Sequence, residues 1–396
     1  MRPFFFFLLA LLLTLSTGTI VYFGQQQKLP WQKKASIEES AEKQQEKERP
    51  LLAYSIPLLA EKYQTGNYQK TTTKIKVLSC LNCDEKDSEI RQYQILYESQ
   101  GQQLSATLTL AQELLADPSK NQNLPLIVMI RGYVPAENYF PGNGTAHAAA
   151  VFAQAGFVTI APDFLGYGAS DPESDDPWLN RFIKPLNVID LLLAIRQEKT
   201  FHLPPNNSLL ADSASQSSTK ITQQLAIAQD SYQISINPEK IAFWGHSNGG
   251  QITVSVLEIL GEKIPASLWA PVLVPFPYSI LYFSDEEADE GKQSRQFIAN
   301  FEKDYDVFDF SLSKHLDLLK ADLQVQHGSN DDSALLSWSQ EFASKITAEN
   351  KRRQAENIEP LQFTLIPYAG ADHNLNGAWN SAVQQDLTFY RKELAL

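Results

Sequence analysis

The stretch Lys240-Ile241-Ala242-Phe243-Trp244-Gly245-His246-Ser247-Asn248-Gly249-Gly250-Gln251, continuing apolar to Leu260, decides how this chain is read. Ile241 to Trp244 is a short apolar run suited to a buried strand, and Gln251 to Leu260 is apolar at helical spacing. Between them, Gly245-His246-Ser247-Asn248-Gly249 has the G-x-S-x-G pattern of a nucleophile elbow. The reason is steric. A serine on a strained strand-to-helix turn holds its hydroxyl clear of the backbone. The positions two before and two after it then lie against neighbouring backbone, where glycine fits. The helix that follows aims unpaired N–H groups at the same point and favours developing negative charge there. Ser247 is the expected nucleophile.

Working outward, Lys74 to Leu78, Ile90 to Glu98 and Gln103 to Leu110 alternate as strands do, with a turn at Ser99-Gln100-Gly101 that makes the last two a hairpin. Leu126 to Ile130 is a continuous apolar strand of the kind buried on both faces of a parallel sheet. Ala146 to Ala155 reads as a helix, Phe157 to Ala161 as a strand and Leu186 to Arg196 as a helix. Beyond the elbow, Ser267 to Val274, Leu323 to His327 and Gln362 to Pro367 read as strands and Ala382 to Leu394 as a closing amphipathic helix. The alternation predicts an α/β fold, with a mostly parallel central sheet flanked by helices. Asn206 to Lys220 reads as a Ser/Asn/Gln-rich surface insertion. Tyr278 to Lys320 is too long for a plain loop; rich in Tyr and Phe, it is expected to be a lid insertion over residues 278–320.

The N-terminus divides from this pattern. Phe4 to Phe23 is uncharged and mostly apolar, long enough to span a bilayer, so residues 1–23 read as a membrane anchor or a cleaved signal peptide. Residues 24–50 form a polar linker rich in Gln, Lys and Glu, and residues 51–396 the catalytic domain. Either reading of the terminus expects an exported protein, with membrane contact through that segment only. In such a compartment Cys80 and Cys83 suit a local disulfide; a zinc site would need more ligands. The formal net charge of −13 argues against a nucleic-acid partner, because binding requires phosphates to be neutralised.

A serine hydroxyl is a poor nucleophile at neutral pH and needs a base, an orienting acid and two N–H donors for an oxyanion. In an elbow protein the acid and base follow the serine in that order. Of His315, His327 and His373, the last stands in the loop between the final strand and the closing helix, where the base belongs; His315 reads as part of a helical run. The acid belongs after the Leu323 to His327 strand, which offers Asp331 and Asp332. One oxyanion donor is the N–H of Asn248, and the other is assigned to Tyr133, in the loop after the Leu126 to Ile130 strand. Arg131 precedes it and is read as an anchor of that loop through a carboxylate. Asp163 to Asp171 is read as structural turns.

Arg131-Gly132-Tyr133, the run Gly156 to Ser170, Gly245 to Gly250, His327-Gly328 with Asp331, and Gly370-Ala371-Asp372-His373 together resemble an α/β-hydrolase of the prolyl oligopeptidase / dienelactone hydrolase-like group. The resemblance runs from about Tyr93 to the C-terminus. It implies hydrolysis of an ester or peptide bond through an acyl-enzyme, with no cofactor or metal, and the family's His-Gly-x-x-Asp spacing selects Asp331 over Asp332. Arg131 departs from it, standing where many such enzymes carry histidine. The expected activity is that of a serine hydrolase acting on a carboxylic ester or small acyl-amide. An oligopeptidase or aminopeptidase is the alternative, with the acidic run Asp285 to Glu290 as an amine-binding device. An inactive hydrolase-fold binding module is the reading outside the enzyme class.

Overall fold

The computed structural model describes residues 49–66, 74–85, 87–117, 119–204, 232–285 and 287–396. The apolar segment Phe4 to Phe23, the linker as far as residue 48 and the insertion Asn206 to Lys220 lie outside these residues. The elements below belong to one compact unit, residues 51–396.

Helix α1 (Ile56–Gln64) precedes three antiparallel strands, β1 (Lys76–Cys80), β2 (Ile90–Ser99) and β3 (Gln102–Ala111). Short α2 (Glu113–Ala116) leads to β4 (Leu124–Ile130), α3 (Ala146–Gln154), β5 (Val158–Pro162), α4 (Pro177–Phe182), α5 (Lys184–Glu198) and β6 (Thr200–Leu203). Then come β7 (Tyr232–His246), α6 (Asn248–Leu260), β8 (Ala266–Trp269), α7 (Tyr278–Ser284) and α8 (Lys292–Phe301). The chain closes with β9 (Leu323–Gly328), α9 (Leu336–Ala355), β10 (Phe363–Tyr368) and α10 (Trp379–Glu393).

The sheet runs β1-β2-β3-β5-β4-β7-β8-β9-β10, with β6 paired to β7. From β5 to β10 every neighbouring pair is parallel. Leu126 to Ile130 is wholly buried, as a strand covered by helices on both faces must be. The chain leaves β4 for β5 on one side, and β7 lies on the other, so a topological switch point falls between β4 and β7. In open α/β sheets ligands bind at the carboxyl ends of the strands flanking such a point. There the register places Ile130 opposite Gly245, His246 opposite Trp269, and Gly328 opposite Tyr368.

Several expectations change. The strand read as Ser267 to Val274 stops at Trp269, because Ala270 has φ 43° and Pro271 lacks an N–H for the ladder. His315 lies among turns rather than in a helix, with Nε2 2.8 Å from the Phe308 carbonyl oxygen. Helix α9 carries no strong sequence signal, since only Trp338, Ser339, Phe342, Ile346 and Arg353 of its 20 residues are buried. Phe301 of α8 packs with Phe276, just before α7, and Phe310, beyond α8, against Phe182 of α4. Cys80 and Cys83 are joined as a disulfide. Among the described residues no helix is long and apolar enough to cross a membrane.

Helix α6 is buried on all sides from Gly249 to Leu260 and ends at Gly261, in the left-handed region at φ 57°. Its carbonyls at Glu258 and Ile259 accept from the Gln64 side chain of α1. The Glu258 side chain is fully buried. It accepts one bond, from the Ser313 N–H at 3.3 Å, and its Oε2 has no partner among the described residues. Burial pushes this carboxyl up to about 8. A raised carboxyl is protonated when folded and ionised when unfolded between its two pKa values, so it stabilises below about 4.5 and that contribution is lost as pH rises to about 8. Glu258→Gln is expected to leave the melting temperature at pH 5 nearly unchanged and to raise it at pH 8.5, by roughly 2–4 kcal/mol of stability. Calorimetric melts of both chains at the two pH values check this.

Candidate active site

Ser247 occupies the turn between β7 and α6 with φ 55° and ψ −123°, outside the ordinary region for a side-chain-bearing residue. The surroundings hold it there. Its N–H donates to the Trp269 carbonyl at 2.9 Å, and its own carbonyl accepts from Gly250 and Val272. The flanking glycines meet the steric expectation. A Cβ at Gly249 would stand 2.0 Å from the Ile130 carbonyl oxygen, and one at Gly245 would stand 2.5 Å from Thr253 Oγ1. The first turn of α6 is thereby pressed against the end of β4.

The loops after β9 and β10 are laced together. Ser329 and Asn330 donate backbone bonds to the Tyr368 and Ala371 carbonyls, both at 2.9 Å. Gly328 makes this possible, since a Cβ there would come within 2.2 Å of the Ala371 carbonyl oxygen. The His-Gly step is thus a close-approach device, and it delivers Asp331 to His373, with Nδ1 to Oδ2 at 2.9 Å. The Asp331 side chain is fully buried and that of His373 is 19% exposed. Burial alone would raise the Asp331 carboxyl. Hydrogen bonds from His327, His373 and the Ala334 N–H outweigh it and hold the group well below the usual carboxylate range. An ionised carboxylate only accepts, so Nδ1 of His373 carries the proton and Nε2 of the neutral ring keeps its lone pair. Asp332 is exposed, and its side chain accepts only from Ser333 among the described residues.

Two further histidines belong to this site, and the sequence reading assigned neither a role. His327 is fully buried, with Nε2 2.7 Å from the Ala334 carbonyl oxygen and 3.1 Å from Asp331 Oδ2, and Nδ1 2.8 Å from Ser339 Oγ. A carbonyl and a carboxylate both demand a donor, so Nε2 is protonated and His327 fixes the carboxylate from the side opposite Ser333 and Ala334. Its signal is a His at a strand end four residues before the acid. His327→Ala is expected to lower kcat by roughly 10- to 100-fold with little change in KM, the loss of one hydrogen bond to a charged group. His327→Gln, whose amide can still donate, should recover most of it; steady-state kinetics of the two variants check this. His246 bridges the other way. Its Nε2 lies 3.0 Å from the His373 carbonyl oxygen, and its ring centroid lies 4.8 Å from that of His373. Burial, then the neighbouring His373 imidazole, lower His246 to about 4, so it stays neutral and donates to that carbonyl.

Gly132 brings the loop after β4 to the elbow: a Cβ there would lie 2.9 Å from Ser247 Cβ and 3.4 Å from His246 Nδ1. Arg131 does anchor this loop, but through carbonyls rather than the expected carboxylate. Its Nη1 and Nη2 donate to the Gly132 and Asp163 carbonyls, both at 2.9 Å, and its guanidinium carbon stands 4.1 Å from the Tyr167 ring centroid and 4.8 Å from that of Tyr139. The carboxylate of Asp163 is engaged instead by Ser105 and Tyr139. In a trans peptide the C=O and N–H point opposite ways, so a guanidinium holding the Gly132 carbonyl turns the Tyr133 N–H away from itself. The Tyr133 side chain is exposed. Asn248 opens α6, where helix geometry leaves the first N–H groups without intrahelical partners. Among the described residues no cluster of His, Cys, Asp or Glu is arranged to hold a metal ion.

No protein-family model matches the sequence, and no curated protein matches it. In three dimensions the chain is similar to an acetyl xylan esterase from Paenibacillus sp. R4, over 86% of this chain and 95% of that one, with a TM-score of 0.52 and 13% identity. It also aligns with acetyl xylan esterase 1 from Thermoanaerobacterium sp. JW/SL YS485, covering 86% and 94% of the two chains at TM-score 0.48 and 14% identity. A puromycin-hydrolyzing peptidase of Mycobacterium tuberculosis aligns over 76% of this chain, which spans 39% of that peptidase, at TM-score 0.48 and 13% identity. At 13% identity the likeness to the Paenibacillus esterase is one of fold. With the parallel sheet and the strained turn between β7 and α6, it makes this chain a protein of the α/β-hydrolase fold.

Proposed function

We propose that the protein is a serine hydrolase that cleaves a carboxylic ester or small acyl-amide through Ser247, His373 and Asp331. The observation that carries this reading is the buried, ionised Asp331 hydrogen-bonded to Nδ1 of His373, at the strand edge that also carries the strained Ser247. Nε2 of His373 takes the hydroxyl proton as Ser247 Oγ attacks the substrate carbonyl, and the N–H groups of Asn248 and Tyr133 receive the oxyanion. The imidazolium, steadied by Asp331, returns the proton to the leaving alcohol or amine. Water then attacks the acyl-enzyme by the same route and releases the acid.

Between ester and peptide, the acidic run favours the ester. Asp285 pairs with Arg295 at 2.8 Å, Asp289 accepts from the Gly291 and Gln293 N–H groups, and Glu290 stands 3.6 Å from Lys292. These carboxylates already pair within their own segment, which supports the ester reading over that of an amine-binding device. Helices α7 and α8, with the segment to Lys320, are read as the lid over the acyl site. The test compares turnover of short-chain 4-nitrophenyl esters with that of aminoacyl and prolyl 4-nitroanilides. Fast ester and negligible anilide cleavage is expected. Fast anilide cleavage moves the protein to the peptidases, and no cleavage of either leaves a binding module.

A further inference from the structure

The cleft that begins at Asn248 carries chemistry the reaction above leaves unused. It encloses about 260 Å³ and is lined from α6 by Asn248, Gln251 and Ser255. At about 1.5 Å per residue, the stretch from Asn248 to Ser255 spans about 10 Å of helix axis, the reach of a short acyl chain. Arg181 of α4 and Lys184 of α5 also line it. Helix α4 is held in place at its start, where Asp176 accepts from the Trp178 and Leu179 N–H groups.

Both cations are half-buried, and among the described residues neither has a carboxylate within salt-bridge distance. Arg181 Nη2 donates to the Ser279 hydroxyl at 2.8 Å and stands 3.4 Å from Gln251 Oε1, with its guanidinium carbon 5.7 Å from the Phe276 ring centroid. The Lys184 ammonium makes no hydrogen bond to a described residue. Burial pulls its ammonium down to about 8, against the field of Glu173 and with those of Arg181 and Arg131, and pulls Arg181 down to about 10. Both remain charged at neutral pH, at a cost in desolvation that an anion in the cleft would offset. Glu173, itself exposed, is the one carboxylate among the lining residues. A surplus of positive charge thus faces a cleft beside the nucleophile's helix, in a chain of net charge −13.

We propose that this cleft receives an anionic group at the far end of the acyl chain, so that the preferred substrates are esters of short dicarboxylic acids. The proposal rests on the hydrolase reading and adds its substrate class. The test measures kcat/KM for mono-4-nitrophenyl glutarate and for 4-nitrophenyl pentanoate, which lacks the terminal charge. The ratio of the two is expected to favour glutarate at least ten-fold, to fall at least five-fold in Lys184→Met and to rise about two- to three-fold in Glu173→Gln. A ratio near one, unmoved by either substitution while pentanoate is turned over, overturns the substrate class and leaves the hydrolase reading standing. If neither ester is cleaved, calorimetric titration of free glutarate decides. Binding that weakens in Lys184→Met upholds the anion site and removes only the hydrolase reading, whereas no binding overturns the site as well.

Discussion

Ser247→Ala is expected to lower turnover of an activated ester by roughly three to six orders of magnitude while leaving the fold intact. The size follows from the division of labour. In the proposed reaction the hydroxyl is the attacking atom, so its loss would remove the acyl-enzyme route and leave only binding and what the Asn248 and Tyr133 N–H groups would do for attack by water. The fold should survive because the turn is held by the backbone bonds to Trp269, Gly250 and Val272 and by the flanking glycines, not by the hydroxyl. A small relief or increase of strain at φ 55° is the only structural change expected. Steady-state kinetics with a melting curve for each chain check both halves. Activity within ten-fold of wild type would remove Ser247 from the reaction.

The second large effect separates two adjacent carboxylates. Asp331→Asn is expected to lower kcat by about 10⁴, because an amide facing Nδ1 can present its NH₂ and force the proton onto Nε2, leaving His373 unable to accept from Ser247. Asp332→Asn should change kcat less than about three-fold, since that side chain is exposed and bonds only the Ser333 hydroxyl among the described residues. The two variants differ by one position and by the same atoms, so a general loss of charge in the loop cannot mimic the contrast. Equal losses, or the reverse ranking, would displace Asp331 from its role. No acid limb from Asp331 is expected above pH 4, because its hydrogen bonds hold it ionised well below the usual range. The pH profile of kcat/KM for wild type checks this.

The parallel half of the sheet was legible because burial on both faces writes continuous apolar runs, as at Leu126 to Ile130, and the elbow because Gly249 is forced by backbone contact at Ile130. The pairing of Asp331 with His373 was legible only through spacing. The reason for that spacing, Gly328 letting the Ala371 carbonyl approach, needed coordinates. What could not be read were partnerships made across the sheet edge: His327 behind the acid, His246 under the base loop, and Arg131 bonding carbonyls and aromatic faces instead of a carboxylate. Helix α9 escaped because a helix that buries a quarter of its residues carries a weak periodic pattern. The strand at Ser267 was read too long because Ala270 to Val274 stays apolar after the backbone has turned away.

The most direct test of the account is fluorophosphonate labelling of the chain truncated before Leu51, followed by mass-spectrometric mapping of the adduct. The account predicts one phosphonyl group on Ser247, abolished in Ser247→Ala and strongly slowed in His373→Ala. A folded chain that takes no label, or takes it at another residue, would contradict it.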